Sequence, residues 1–466
     1  MKKMLKFFQK EWVLITILII LTAATRIPYF GHPDEVVFDE VYFARWSTNY
    51  FKGEFYFDIH PPLAKMILAA TGKIFGFDET NNTDFSQIGN KYKGDFYKLF
   101  RAVEMFFSLI LVLAVYGIGK RLFYNKWPGF LASLFIIFDN AILVQSRYIF
   151  TDIFLLAFGA LGIYFVLRLR DYKKLDANSF PELFLASLFL TASVLVKWTA
   201  LVFVAVGALI LLLDRISHKK FQLFIKESII MFVIFVLVYF GVFAIHLLSL
   251  PYTGGPNHDA FLSPQSQSAL LGNQYYGKYE PPNLIKRIIE LNVKMFAANA
   301  SIKQSHPYSS KWYSWPIMYR PIFEWHKNIS DQTNERIYLI GNPLIWWLGF
   351  LCAIFAIFAL LYELRFKDKT IYFQPLLILT FGYLLNLLPY VFITRPAFIY
   401  HYFPSFIFMT LISGFLLWFF LRIKPLILIV IFIVIIQSFL YFAPLSYGLS
   451  LTDQQYLQRL WLPTWR

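Results

Sequence analysis

The sequence predicts an all-α polytopic membrane protein, on three observations. Of 466 residues, 58% are hydrophobic and only 15% charged, which leaves too little polar surface to cover a water-soluble globule. About eleven apolar runs are close to the length a helix needs to cross the hydrocarbon core. Basic residues recur after every second run, which is the signature of short cytoplasmic loops. Aromatic residues make up 20% of the chain, 53 of them Phe, and suit lipid-facing helix surfaces and interfacial belts.

In chain order the runs fall near 11–28, 101–119, 128–145, 152–168, 181–196, 199–213, 227–249, 343–362, 374–393, 402–421 and 425–443. The joins at 145–152 and 196–199 are short. Lys2, Lys3, Lys6 and Lys10 precede the first run. Lys120, Arg121 and Lys126 follow the second, and Arg168, Arg170, Lys173 and Lys174 the fourth. Arg215, Lys219, Lys220 and Lys226 follow the sixth, Arg365, Lys367 and Lys369 the eighth, and Arg422 and Lys424 the tenth. Eleven spans place all six clusters on one side, so the N-terminus is expected in the cytoplasm and the C-terminus outside. The start MKKMLKFFQK leads into a span without a small-residue cleavage signal, and is read as a retained first helix.

This distribution also accounts for the net charge of +15 without nucleic acid as a partner. The lone cysteine, Cys352, lies inside an apolar run, which excludes intramolecular disulfides and a cysteine-based metal site. One domain, 1–466, is expected. It has two long outer segments, 29–100 and 250–342, and a C-terminal four-helix part, 343–466. Ordered outer loops rich in aromatic and polar residues usually carry function. Within the first, 63–77 has apolar residues at helical spacing and reads as a helix on the membrane surface. Two sequons, at Asn81 and Asn328, fall on the outer side and carry no weight.

The chemistry is expected in 36–65, VVFDEVYFARWSTNYFKGEFYFDIHPPLAK. Carboxylates beside a membrane span are rarely accidental. Asp39 and Glu40 are adjacent, and neighbours on a regular helix point about 100° apart. Both face one substrate only if the backbone is irregular; otherwise one acts and the other orients it. One carboxylate within reach of a hydroxyl is enough for general-base catalysis. Salt bridges to Arg45 or Lys65 are the structural alternative. Asp58 and His60, followed by Pro61 and Pro62, form a rigid turn and lack the further ligands a metal would need.

Several protonatable groups sit at outer ends of runs, against the positive-inside tendency: Arg101, Arg147, Lys197 beside Trp198, and Arg395 and His401 beside Tyr400. A membrane-embedded anion such as a lipid phosphate accounts for them together. Snorkelling, or pairing such as Arg147 with Asp152, accounts for any one alone. Trp312, Trp315 and Trp325 suit an interfacial belt or a wall for a sugar or peptide.

Five stretches in order resemble the protein O-mannosyltransferase family of GT-C membrane glycosyltransferases. VVFDEVYFARW with FDIHPPLAK is similar to the family's first outer loop, and FDNAILVQSRYIFTD to its segment around the third and fourth spans. VKWTAL is similar to its Lys-Trp turn, departing from the family glycine at Ala200. SHPYSSKWYSWPIMYRP and RPAFIYHYFP are similar to its C-terminal signatures. The resemblance implies a GT-C fold and an enzyme that transfers mannose, with inversion, from dolichyl or another polyprenyl phosphate to Ser or Thr hydroxyls of proteins on the outer face. It implies Asp39 as base with Glu40 in support. Arg101, Arg147 and Lys197 are expected at the donor phosphate, and by extension Arg395 and His401. Asp58, His60, Trp198 and Tyr400 are expected to build the loop or bind substrate. No metal or cofactor is implied.

Eukaryotic members insert a β-trefoil MIR domain in the second long outer loop, and 250–342 is too short for one, so the bacterial or archaeal type is expected. The related oligosaccharyltransferases carry an Asp-x-Asp metal site that QSRYIFTD lacks. The membrane is then the plasma membrane, or that of the endoplasmic reticulum in a eukaryotic host. The competing expectations are a GT-C enzyme that glycosylates a lipid or polysaccharide with another sugar, and a transporter. A transporter calls for charges buried mid-span and repeat symmetry; of the ionisable residues only Asp139 approaches mid-span.

Overall fold

In the computed structural model, residues 10–77, 83–367 and 369–466 are described. Lys2, Lys3, Lys6 and the sequon residues Asn81 and Asn82 lie outside them. Ten of the eleven apolar runs coincide largely with one helix each. Helix α1 is Glu11–Arg26, and the first outer segment folds into α2, Glu40–Lys52, and α3, Leu63–Ile74. Then follow α4, Phe96–Phe123; α5, Lys126–Ile137; α6, Asn140–Gln145; α7, Asp152–Leu169; and α8, Phe180–Val194. A 3-10 turn, Trp198–Ala200, leads into α9, Leu201–Ser217, and α10 is Phe221–Leu248. The second outer segment contributes α11, Leu284–Ser301. The C-terminal part comprises α12, Pro343–Phe366; α13, Phe373–Leu387; α14, Phe403–Leu421; and α15, Pro425–Tyr447. Eight of the described helices, some including an adjoining 3-10 turn, are long and apolar enough to cross a membrane; α5 and α8 are shorter apolar helices. Helix α10 is almost entirely unburied, as suits a helix surrounded by lipid.

The run at 128–145 does not form one helix. Asp139 caps α6 by accepting from the Ile142 N–H at 2.9 Å. It also accepts from the Asn342 N–H at 2.9 Å and the Trp346 indole at 2.7 Å. Arg26 donates to the carbonyls of Ile136 and Ile137, at 3.1 and 2.7 Å, and so satisfies the frayed end of α5. The charge nearest mid-span therefore has a structural task.

Helices α4, α5, α7, α8 and α14 form the packed centre. Small residues set the closest approach, as is common between membrane helices. A Cβ on Gly129 of α5 would stand 2.2 Å from the Tyr116 carbonyl oxygen of α4. At one end of this bundle ion pairs tie the basic clusters together: Lys120 to Glu11, Arg121 to Asp171, Arg170 to Asp214 and Arg215 to Glu227. The other end carries the outer segments.

One feature departs from a purely helical chain. Strands β1, Ile322–Ser330, and β2, Thr333–Leu339, form an antiparallel hairpin, and β3, Ser450–Thr452, pairs with β2. The register shifts between Phe323 and Trp325, leaving Glu324 as the extra residue of a β-bulge. Because a side chain at Gly129 collides with backbone, Gly129→Ala is expected to destabilise the protein by about 2 kcal/mol, read as a lower melting temperature in detergent.

Candidate active site

The first outer segment turns sharply just before the two carboxylates. Phe38 has φ of 38°, a left-handed conformation that is costly for a bulky residue. The irregularity lets Asp39 and Glu40 face different surroundings, and the two side chains have opposite fates.

Glu40 is fully buried. Its carboxylate accepts from the Val37 N–H at 2.9 Å, the Tyr92 hydroxyl at 2.9 Å and the Ile149 N–H at 3.0 Å. Arg101 completes it with a two-point contact at 2.9 and 2.8 Å. The rest of the Arg101 guanidinium donates to the carbonyls of Pro33 and Glu35, at 2.6 and 3.1 Å. Arg101 was expected at a phosphate, but its donors are committed to Glu40 and backbone, and it is buried. Arg147 departs in the same way. It donates to the carbonyls of Arg26, Pro28 and Tyr29 and lies over the Tyr447 ring. It does not pair with Asp152.

Asp39 is the N-cap of α2 yet makes no capping hydrogen bond, although Asp at that position ordinarily accepts one. Its half-buried carboxylate has no hydrogen bond or ion pair among the described residues. It bridges neither Arg45 nor Lys65; Lys65 instead forms a buried ion pair with Asp58. Burial pushes the Asp39 pKa from 3.8 up to about 7, against the opposing pull of Lys197 and helped by the Asp152 and Asp58 charges.

A cavity of about 410 Å³ is lined by Lys197, Arg395, His60, His401, Trp198 and Tyr400, among others. Lys197 lies in the short break between α8 and α9 and donates to Asp152 at 2.7 Å. Its ammonium lies 5.3 Å from the Tyr400 ring centre and 5.6 Å from that of Phe43. The half-buried Arg395 has no hydrogen bond or ion pair among the described residues. His401 takes the Phe398 N–H on Nδ1 at 3.1 Å and stacks on Trp315. Burial, with Lys197 and Lys65 nearby, holds the His60 imidazole well below its ordinary pKa, so it is neutral. Trp198 is fixed by its indole N–H to the Tyr239 hydroxyl at 3.1 Å.

Asp58 and His60 do not converge as ligands. Asp58 and Lys65 sit among Phe43, Trp46 and Tyr56, and burial opposes the charged state of both. Of the eleven residues expected at the site, Lys197, Arg395, His401, His60, Trp198 and Tyr400 line one cavity. Asp39 is coupled to its charges, Glu40 with Arg101 holds the loop, and Arg147 and Asp58 lie in the scaffold. Sequence reasoning missed two residues. Asp152 was read only as a partner for Arg147, because its true partner is 45 residues away. Nothing in the local sequence marked Glu324.

The helix arrangement and outer segments define a GT-C type membrane protein. Residues 16–251 match the family model described as dolichyl-phosphate-mannose-protein mannosyltransferase, and residues 284–465 match the C-terminal four-TMM region of protein-O-mannosyltransferase. The chain belongs to the protein O-mannosyltransferase family. Dolichyl-phosphate-mannose–protein mannosyltransferase 1 of Saccharomyces cerevisiae is 29% identical over 276 residues, covering 57% of this chain and 33% of that protein. Protein 4 of the same name from Schizosaccharomyces pombe is 33% identical over 210 residues, covering 43% of this chain and 26% of that protein. The chain thus matches about a third of the length of such relatives. A structure of the S. cerevisiae Pmt1–Pmt2 complex bound to the sugar donor superposes with a TM-score of 0.88 at 19% identity, covering 98% of this chain and 92% of that one. An oligosaccharyltransferase from Archaeoglobus fulgidus gives 0.57 at 12% identity, covering 97% and 58%.

The two arginines should separate by experiment. Arg101→Ala leaves Glu40 buried without its cation and is expected to cost about 3–5 kcal/mol. Arg395→Ala breaks no hydrogen bond or ion pair among the described residues and should leave the melting temperature nearly unchanged.

Proposed function

We propose that this chain is a protein O-mannosyltransferase that takes mannose from a polyprenyl phosphate and passes it to Ser or Thr hydroxyls. The observation that carries this reading is the unpartnered Asp39 carboxylate, with a raised pKa, beside a cavity bearing Lys197 and Arg395. A general base works best with a pKa near the working pH. The names of the yeast relatives and the donor-bound neighbour support the choice of sugar donor and protein acceptor.

In the reaction proposed, the acceptor O–H gives its proton to Asp39 as its oxygen forms a bond to the anomeric carbon. The carbon–oxygen bond to phosphate breaks on the opposite face, and its electron pair leaves with the phosphate, so the anomeric centre inverts. Lys197 and Arg395, with His401 beside them, meet the charge that develops on the leaving group. Glu40 and Arg101 hold the backbone that presents Asp39, and Tyr400 and Trp198 form the wall against which lipid or sugar rests. No metal ion has a role, because the leaving group is an anion met by side-chain cations. The end of the bundle rich in Lys and Arg faces the cytoplasm and the site faces outward, in the plasma membrane or the endoplasmic reticulum membrane of a eukaryotic host.

Four outcomes test the reading. Asp39→Asn should insert normally and abolish mannose transfer from polyprenyl phosphate mannose to a Ser/Thr peptide; near-normal transfer rules out Asp39 as base. In the wild type, transfer should rise with pH through about 7 as Asp39 ionises. Stability should move oppositely. A folded-state pKa raised above the unfolded value means that Asp39's contribution is full below about 4 and is lost as pH rises through about 7. Asp39→Asn should therefore melt higher than wild type at pH 8. Arg395→Ala should raise KM for the lipid donor about tenfold while leaving KM for the peptide unchanged.

A further inference from the structure

The β-bulge in the hairpin sets one buried carboxyl outside the strand pairing. Glu324 has no partner across the β1–β2 pair, and bulges of this kind often re-aim a side chain next to an active site. Glu324 is 2% exposed. Its Oε2 is buried without a hydrogen-bond partner, and neither oxygen pairs with a cation among the described residues. On the same strand, Trp325 and Lys327 both reach Glu35, at 3.0 and 2.5 Å, so the hairpin is already anchored without Glu324.

Three carboxylates act on Glu324, Asp39 most strongly, then Glu40 and Asp152. Glu40 has Arg101 and Asp152 has Lys197. Asp39 and Glu324 are the two that lack a cation of their own among the described residues. Two uncompensated carboxyl groups in one dry region do not both ionise readily, and burial pushes Glu324 well above its ordinary range. A buried carboxyl with an open acceptor, carrying its proton, can both donate to and accept from a hydroxyl. Left without a ligand, such a group is a standing cost to stability, and costs of this kind collect at functional sites.

We propose that Glu324 is a substrate-binding residue of the same centre, whose carboxyl hydrogen-bonds a hydroxyl lying between it and Asp39. The inference rests on the mannosyl-transfer reading. The hydroxyl belongs either to the acceptor Ser or Thr or to the sugar of the donor. No bond to carbon changes at Glu324; it holds the hydroxyl, and Asp39 takes the proton that is lost.

The test uses the full-length protein with Glu324→Gln and Glu324→Met, measuring melting temperature and KM for each substrate. Glu324→Gln keeps the shape and an uncharged donor and acceptor, and should transfer within about threefold of wild type. Glu324→Met fills the same space without polarity. It should melt at or above the wild-type temperature while transfer falls about tenfold. A rise in KM for the peptide alone assigns the hydroxyl to the acceptor, and a rise for the lipid donor alone assigns it to the sugar. Wild-type transfer by Glu324→Met, a melting temperature that falls in step with transfer, or failure of Glu324→Gln as complete as that of Glu324→Met would each overturn the proposal. If wild type transfers no mannose, the mannosyl reading fails instead. The hydroxyl assignment then falls with it, and the melting comparison decides only what remains: stabilisation by Met keeps a ligand-binding role for Glu324, and destabilisation makes it structural and overturns the proposal outright.

Discussion

The half of this protein that carries the cavity depends on the ion pair between Glu40 and Arg101. Both groups are removed from water, and a buried pair is worth its desolvation only when every remaining donor and acceptor is met. Here the surroundings meet them: backbone N–H groups from Val37 and Ile149, the Tyr92 hydroxyl, and carbonyls of Pro33 and Glu35. The pair thereby ties together the first outer segment, the start of α4 and the link between α6 and α7. It also leaves Phe38 in a conformation that points Asp39 away from its own helix cap. Asp39 is left half-buried and without a hydrogen bond or ion pair among the described residues.

Charge is distributed on the same plan around the cavity. Lys197 is shared between Asp152 and the open space lined by Tyr400, so its position is fixed while part of its field remains available. Arg395 has no hydrogen bond or ion pair among the described residues. Thr151, with φ of 69°, precedes Asp152 as Phe38 precedes Asp39, and its N–H is held by Glu104 at 3.0 Å. Strained backbone thus stands immediately before Asp39 and Asp152, two of the carboxylates that interact with Lys197, and each strained turn is secured by a buried glutamate.

The positions of the membrane helices were legible in the sequence because hydrophobic length is a physical requirement that each helix meets locally. The outer 36–65 segment was legible as a centre, since carboxylates and aromatics beside a span are unusual in themselves. What remained hidden was pairing across the fold. Arg101, Arg147 and Lys197 look alike as cations at helix ends, yet only tertiary contacts show that Arg101 is committed to Glu40, that Arg147 is turned into backbone carbonyls and that Lys197 lines the cavity. Asp139 looked like a mid-span charge because the break that it caps is held by Arg26, Asn342 and Trp346, all distant in sequence. The hairpin escaped because 322–339 is rich in charged and polar residues, and its bulge depends on a one-residue slip in register that no composition records.

The central claim is that a lipid phosphate occupies the Lys197–Arg395 cavity with its sugar turned toward Asp39. An experimental structure of the protein with a non-hydrolysable polyprenyl phosphate mannose analogue tests this most directly. Phosphate oxygens are expected within hydrogen-bonding distance of Lys197 and Arg395, about 3 Å, with the face of the anomeric carbon opposite the phosphate open toward Asp39. A phosphate held by Arg101 or Arg147, or lodged at the Lys120–Arg121 end of the bundle, would contradict it.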